Sequence, residues 1–215
     1  MAQKKKAAAK LDLAKVYPQY YKAGKEPVLI RLDPIRYLTV EGAGAPEGEQ
    51  FHAAVGALYG VAFTVKMTKK FAGTDYKVSH LEGLWWADWD RSKLADPEAL
   101  WTVPRESWKW KLMIMVPEFI TKRDFDAARR QLIERRGDAA VDGVKLETLD
   151  EGMAVQILHV GPYAAEPESI GKMRALMKAE GLRERGLHHE IYLSDPRRVA
   201  PERLRTILRQ PVEKT

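Results

Sequence analysis

Apolar residues along the chain change their spacing several times, and each change marks an element. Over residues 48–68, Phe51, Val55, Leu58, Ala62 and Val65 recur at steps of four, three, four and three. That spacing keeps them on one stripe of an amphipathic helix. A second helix is predicted over 121–136, with Thr121 as its cap and Phe125, Ala128, Leu132 and Ile133 as a narrow apolar stripe. A third is predicted over 166–180, with Ile170, Met173 and Met177 on one side and Gly181 as its stop. A short helix over 12–17 is limited by Pro18. Shorter runs rich in β-branched and aromatic residues predict strands over 28–32, 36–42, 76–86, 108–116, 145–149, 153–160, 187–193 and 205–212. The strand over 145–149 is expected to pair with the one that follows it. Residues 88–106 read as a polar insertion, and 137–143 as a linker.

The order strand–helix–strand–strand occurs twice. Module one covers about 36–117 and module two about 150–212, with the helix over 121–136 as a connector and residues 1–35 as a tail and leading arm. The two middle strands share a local pattern, His80-Leu81-Glu82-Gly83-Leu84 against His188-His189-Glu190-Ile191-Tyr192. The expected fold is α+β: duplicated modules with antiparallel sheets, helices on one side and a ligand cleft between the modules.

Alternation sorts each strand into two faces. Leu187, Ile191 and Leu193 share one, expected to meet the helices, which leaves His188, Glu190 and Tyr192 to line the cleft. A carboxylate beside a phenol on a cleft wall can accept a proton or hold a cation, although alternation equally allows a solvent-facing glutamate. Glu82 repeats the argument in module one. One of Trp85 and Trp86 must face away from the helices, and a flat ligand would give that ring a partner. Trp108 and Trp110 share a face with Leu112, Ile114 and Val116. Met113 and Met115 lie on the other, where a permissive pocket would use them. Tyr59, one position round from the helix stripe, reaches toward the cleft edge. Tyr59, Trp110 and Tyr163 complete the candidate lining.

Composition narrows the chemistry. The chain has 215 residues, 45% hydrophobic and 31% charged, enough for a buried core. It holds no apolar run long enough to span a membrane and no signal-like leading segment, so a cytoplasmic protein is expected. There is no cysteine, which excludes disulfides, thiolate metal sites and a cysteine nucleophile. Five histidines, with His188 and His189 adjacent and therefore on opposite strand faces, give no metal site. The glycine loops of nucleotide-binding enzymes and the serine-hydrolase motif are missing, and no cofactor is expected. The net charge of +6 is spread among alternating acids and bases, which argues against a nucleic-acid partner.

Three stretches carry a resemblance: Gly186 to Arg198 followed by Pro201 to Arg209, then His159-Val160-Gly161-Pro162-Tyr163, then Phe51 to Tyr59. Through them nearly the whole chain resembles the GyrI-like small-molecule-binding family, most closely its stand-alone branch. The resemblance implies the duplicated strand–helix–strand–strand (SHS2-type) fold and a groove lined by aromatics and one acidic residue, which maps to Glu190. It also implies a function in one of three forms. The first is a detoxifying hydrolase that opens the cyclopropyl ring of flat DNA-alkylating (cyclopropanoid) compounds, for which Glu190 would be the general base and, by the strand-face reading above, Tyr192 or another cleft hydroxyl the donor to the developing oxyanion. The second is a multidrug binder or sensor of flat, often cationic, compounds, like the effector-binding domains of transcription regulators. The third is a modulator of DNA gyrase. With no DNA-binding module in its first 35 residues, the chain is not expected to be a complete regulator.

Overall fold

Two strand–helix–strand–strand units join edge to edge in one sheet, and every pairing between its strands is antiparallel. The computed structural model describes residues 10–87, 102–137 and 139–215. Most of the expected insertion lies outside them. The leading segment forms two single-turn helices, α1 (Leu13–Val16) and α2 (Pro18–Tyr21), and strand β1 (Val28–Leu32). Unit one follows as β2 (Ile35–Ala43), α3 (Glu49–Phe71), β3 (Leu81–Ala87) and β4 (Trp108–Met115). Helix α4 (Lys122–Arg136) and β5 (Lys145–Leu149) connect it to unit two, made of β6 (Gly152–Val160), α5 (Glu166–Ala179), β7 (Leu182–Glu184), β8 (His188–Tyr192) and β9 (Arg205–Lys214). The sheet order is β1-β6-β9-β8-β3-β4-β2-β5, with β7 added to β9.

In both units the last strand lies between the first and the middle one: β2-β4-β3 and β6-β9-β8. The middle strands β3 and β8 then pair across the seam, Gly83 opposite Glu190 and Trp85 opposite His188. The α+β class, the antiparallel sheet and the helices on one side agree with the sequence pattern. Partners in register share a face, which fixes what lies above and below the seam. Above it, α3 packs on Leu38, Trp85, Trp110, Leu112 and Ile114, and α5 packs on Val155, Ile157 and Leu208. α4 seals the outer flank of α3, where Gly60 lies against Leu132 because a Cβ there would meet its methyl group at 2.8 Å.

The lower face is not open. The leading segment covers it: Leu13, Tyr20, Tyr21 and Leu32 pack against Tyr37, Leu84, Met113, Met115, Ile191 and Ile207. This corrects three sequence expectations. Residues 10–35 are built into a second core. Met113 and Met115 fill that core, on the face of the sheet away from α3 and α5. The face carrying Ile191 meets the leading segment, while His188, Glu190 and Tyr192 lie on the helix side. Alternation divides a strand into two sets of residues but cannot say which set meets helices when both faces are covered.

Three smaller differences have local causes. β3 starts only at Leu81, because Tyr76 is drawn into the first core and bridged to Leu11. The segment read as a linker buries Val141, and Val144 just after it, in that core. β5 pairs with β2 rather than with β6. The curled sheet brings these two strands close enough for the chain to cross from β5 to β6 through Asp150 and Glu151 alone, and Gly152 takes a φ of 57° at the bend.

Glu151 is the anchor of that crossing. Its carboxylate receives Arg209 Nη1 at 2.9 Å and faces His189 Nδ1 at 2.9 Å, and His189 Nε2 lies 3.1 Å from Glu82. The Tyr21 hydroxyl donates to Glu82 at 2.7 Å, and Arg209 also donates to the Tyr20 carbonyl and to Gln156. Two acids and two bases are thus buried together, joining β3, β8, β9, the crossing and the leading segment. Burial alone would raise the Glu151 carboxyl, but His189 and Arg209 outweigh it and hold it at about 2. Burial likewise pushes His189 down, and Glu151 and Glu82 together bring it above its ordinary 6.5.

Removing one partner leaves a buried charge uncompensated. Arg209→Met should therefore cost about 3–5 kcal/mol in urea unfolding. It should also move acid unfolding to higher pH. The stabilisation from Glu151 is full above its unfolded value of 4.5 and is lost as pH falls toward about 2, and without Arg209 that loss begins earlier.

Candidate functional site

Above the β3–β8 seam, the space between α3 and the start of α5 is a cavity of about 750 Å³. Its floor is Leu81 and Trp85 from β3 with Glu190 and Tyr192 from β8. One wall is Phe51, His52, Val55, Gly56 and Tyr59 of α3, the opposite wall is Tyr163 and Glu166, and the residues from Leu193 to Arg197 form a lip. The apolar stripe of α3 explains the first wall. Its core residues turn down onto the sheet, and the flanking Phe51, Val55 and Tyr59 face the seam, where unit two begins. On the other side, His159 at the end of β6 is held by Ser169 at 3.0 Å and by the Pro162 carbonyl at 3.2 Å. That pair of bonds ties the Gly161-Pro162 turn to α5, so Tyr163 and Glu166 are presented together.

Aromatic rings stand on both walls and on the floor. Phe51 stacks on Trp85 with centroids 6.0 Å apart, and Trp108 meets Trp85 edge-on at 5.8 Å. Tyr163 meets Tyr192 edge-on at 6.1 Å. A planar apolar ligand gains dispersion and stacking energy from such walls.

The polar centre is a chain of hydrogen bonds. Trp85 Nε1 donates to the Tyr192 hydroxyl at 2.9 Å, and that hydroxyl donates to Glu190 Oε2 at 2.8 Å. His188 Nε2 lies 3.6 Å from Glu190 Oε1. Burial, the Glu190 charge and the bond to it raise the Tyr192 phenol well above its usual range, so it stays neutral and holds the carboxylate in place. Gly83 makes room for this chain. A Cβ there would lie 2.9 Å from Trp85 Nε1 and 3.2 Å from the Tyr192 hydroxyl.

Glu166 is the residue that sequence reading missed. It is fully buried, and among the described residues neither of its carboxyl oxygens has a hydrogen-bond donor. Burial, then the charge of the Glu190 carboxylate beside it, push its carboxyl well above the usual range. Its place in the first turn of α5 works the other way, since the helix dipole favours an anion there by about 0.3–1 kcal/mol. Burying an unpaired charge costs several kcal/mol, so the neutral acid wins. In sequence this residue looks like an ordinary acid at a helix start, and no local signal separates the two cases. Phe51 and Trp108 were also read only as helix and strand positions, and His188 only as a member of the cleft-lining strand face.

Of the sequence candidates, Glu190, Tyr192, Trp85, Tyr59 and Tyr163 line the cavity together. Trp110 lies behind it, fully buried, with Phe51 edge-on at 5.3 Å and its Nε1 donating to the Gly44 carbonyl. Trp86, Glu82 and Met113 are on the opposite face of the sheet. The matched pattern around Glu82 and Glu190 therefore misled: in the seam Glu190 is opposite Gly83, and a one-residue offset reverses a strand's faces. Among the described residues, no group of three or more acidic, histidine or cysteine side chains is arranged to hold a metal. No described helix is long and apolar enough to cross a membrane.

The comparisons agree with this geometry. A model of the GyrI-like small-molecule-binding domain matches residues 25–213. Among solved structures, an uncharacterized conserved protein from Listeria innocua is 34% identical with a TM-score of 0.84, and a hydrolase from Listeria innocua is 34% identical with a TM-score of 0.82. Each alignment covers 95% of this chain and all of the other. The C-terminal domain of EcmrR, 11% identical over 88% of this chain and 98% of its own, shares the fold with a TM-score of 0.55. No curated protein matches the chain in sequence.

Two outcomes are expected. Gly83→Ala should break the Trp85–Tyr192 bond and cost about 1–3 kcal/mol from overpacking, read from urea unfolding and from the indole N–H resonance of Trp85. The second concerns Glu166. Between 4.5, its ordinary value, and its raised folded value, the folded chain binds a proton that the unfolded chain lacks. Its contribution is thus full below 4.5 and lost as pH rises. Glu166→Gln should raise the Tm at about pH 8 and change it little at about pH 4, in scanning calorimetry.

Proposed function

Because this chain belongs to the GyrI-like small-molecule-binding family, we propose that its cavity binds flat aromatic compounds and hydrolyses those that carry a strained cyclopropane fused to a conjugated dienone. The observation that carries the reading is Glu190, a carboxylate fixed by Tyr192 at the floor of an aromatic-walled cavity. The Listeria innocua hydrolase, 34% identical over its whole length, supports a hydrolytic role.

The chemistry asks for three things. Aromatic walls hold the planar ring system so that water reaches the cyclopropane methylene in line. Glu190 takes a proton from that water as its oxygen bonds to the carbon. The ring carbon–carbon bond breaks, and its electron pair moves through the dienone to the carbonyl oxygen, which becomes a phenolate and then takes a proton. A donor near that oxygen lowers the barrier. Tyr192 already gives its proton to Glu190, so Tyr163 suits this part better. Its hydroxyl has no hydrogen-bond partner among the described residues, and burial followed by the Glu190 charge raises it to about 12, so it remains a donor.

The test is turnover of a spirocyclopropyl dienone fused to a flat aromatic system, followed by mass spectrometry for addition of one water. Product should accumulate beyond one equivalent of protein. Glu190→Gln should lower the rate by about 10²–10⁴-fold while binding largely survives. Trp85→Ala should instead weaken binding by about 1–3 kcal/mol. A stoichiometric complex without product would reduce the function to binding alone. Unchanged turnover in Glu190→Gln would remove that residue as the base.

A further inference from the structure

Glu166 lies in the cavity wall, fully buried, and the polar group it faces is the Glu190 carboxylate. Glu190 has one oxygen bonded by Tyr192 and the other 3.6 Å from a histidine ring nitrogen. Two carboxylates in contact present only acceptors to one another, and a proton between them turns that repulsion into a hydrogen bond. We propose that Glu166 and Glu190 hold one shared proton, and that a cationic aromatic ligand binds by displacing it whereas a neutral ligand leaves it in place. The inference rests on the cavity being a small-molecule site, but not on turnover.

With the proton present the pair carries a single negative charge, which is compatible with a neutral planar ligand against the aromatic walls. A fixed cation beside Glu190 favours the ionised form of Glu166 and so weakens its hold on the proton. The coupling is reciprocal: losing the proton tightens the cation, and the affinity of cations, but not of neutral ligands, rises with pH. Glu166 is thus a positioning residue that sets the charge of the site through Glu190.

The groups around Glu166 leave few other proton sources. From β8 it faces Glu190, which His188 flanks at 3.6 Å, and Tyr192, and from the turn before α5 it faces Tyr163. Both phenols are raised by burial and by Glu190, and stay neutral. His159 on β6 has both ring nitrogens engaged, and Asp195 at the lip is paired with Arg197. His188, whose ring nitrogens have no hydrogen-bond partner, is the competing source.

Isothermal titration calorimetry separates them. N-methylacridinium and its neutral parent acridine are titrated into the protein at neutral pH, in phosphate and in Tris, whose ionisation enthalpies differ. The wild type should release a proton with the cation and none with acridine. Glu166→Gln should abolish the buffer dependence, and His188→Gln should retain it. Buffer-independent cation binding by the wild type, or release that survives in Glu166→Gln, overturns the proposal. A ligand-free readout is the ¹³C spectrum of glutamate-labelled protein. The carboxyl resonance missing from Glu166→Gln should lie in the protonated range at neutral pH, and one in the ionised range overturns the shared proton. Failure of the dye to bind overturns the ligand half, together with the small-molecule reading of the cavity. Dye binding with proton release but no dienone turnover supports the proposal and removes only the hydrolysis.

Discussion

The pairing of β3 with β8 is the contact on which the rest of the molecule depends. It fuses two similar units into one sheet and sets Gly83 opposite Glu190 and Leu84 opposite His189. Because strand residues alternate, this one register decides both faces at once. Above the seam it assembles the Trp85–Tyr192–Glu190 chain. Below it, His189 is brought to Glu82. A slip of one residue would send Glu190 into the lower core and His189 into the cavity, so each face holds the other in register.

The two faces treat their charges differently, and that difference separates structure from chemistry. Below the sheet, Glu82 and Glu151 meet His189 and Arg209, and Tyr21 and Gln156 supply further hydrogen bonds. Such a network is satisfied and serves to hold the leading segment, the crossing at Glu151 and the seam together. Above the sheet, Glu190 has a phenol and a distant imidazole, and Glu166 has no hydrogen-bond partner among the described residues. Acids left without bases in an apolar cavity raise the free energy of the folded chain. They are retained where a ligand, a water or a proton is to be handled.

The aromatic walls follow from the same architecture. α3 and the start of α5 come from different units and lie on one side of the sheet, so a gap remains between them above the seam. Phe51 and Tyr59 reach into it from α3, Tyr163 from the turn before α5, and Trp85 from the floor. The two Listeria innocua proteins, over 30% identical, align over their whole lengths, so the duplicated sheet belongs to the shared fold rather than to an insertion.

Much of this was legible along the chain. The spacing of Phe51, Val55, Leu58, Ala62 and Val65 determined α3, Thr121 and Phe125 determined α4, and the recurrence of strand–helix–strand–strand determined the duplication. These are local signals, because backbone hydrogen bonding and one-sided burial act within a few residues. Glu190, Tyr192 and Trp85 were legible as members of strand faces, and the resemblance singled out Glu190. What the sequence could not contain was which face met what. Both faces of the seam strands are covered, so apolar alternation carries no label for helix or leading segment. Glu82 and Glu190 look equivalent in pattern yet lie on opposite sides. Glu166 was invisible for a related reason. Its unusual proton affinity comes from burial and from Glu190, 24 positions away, and only the fold that sets the start of α5 beside β8 brings the two carboxyls together.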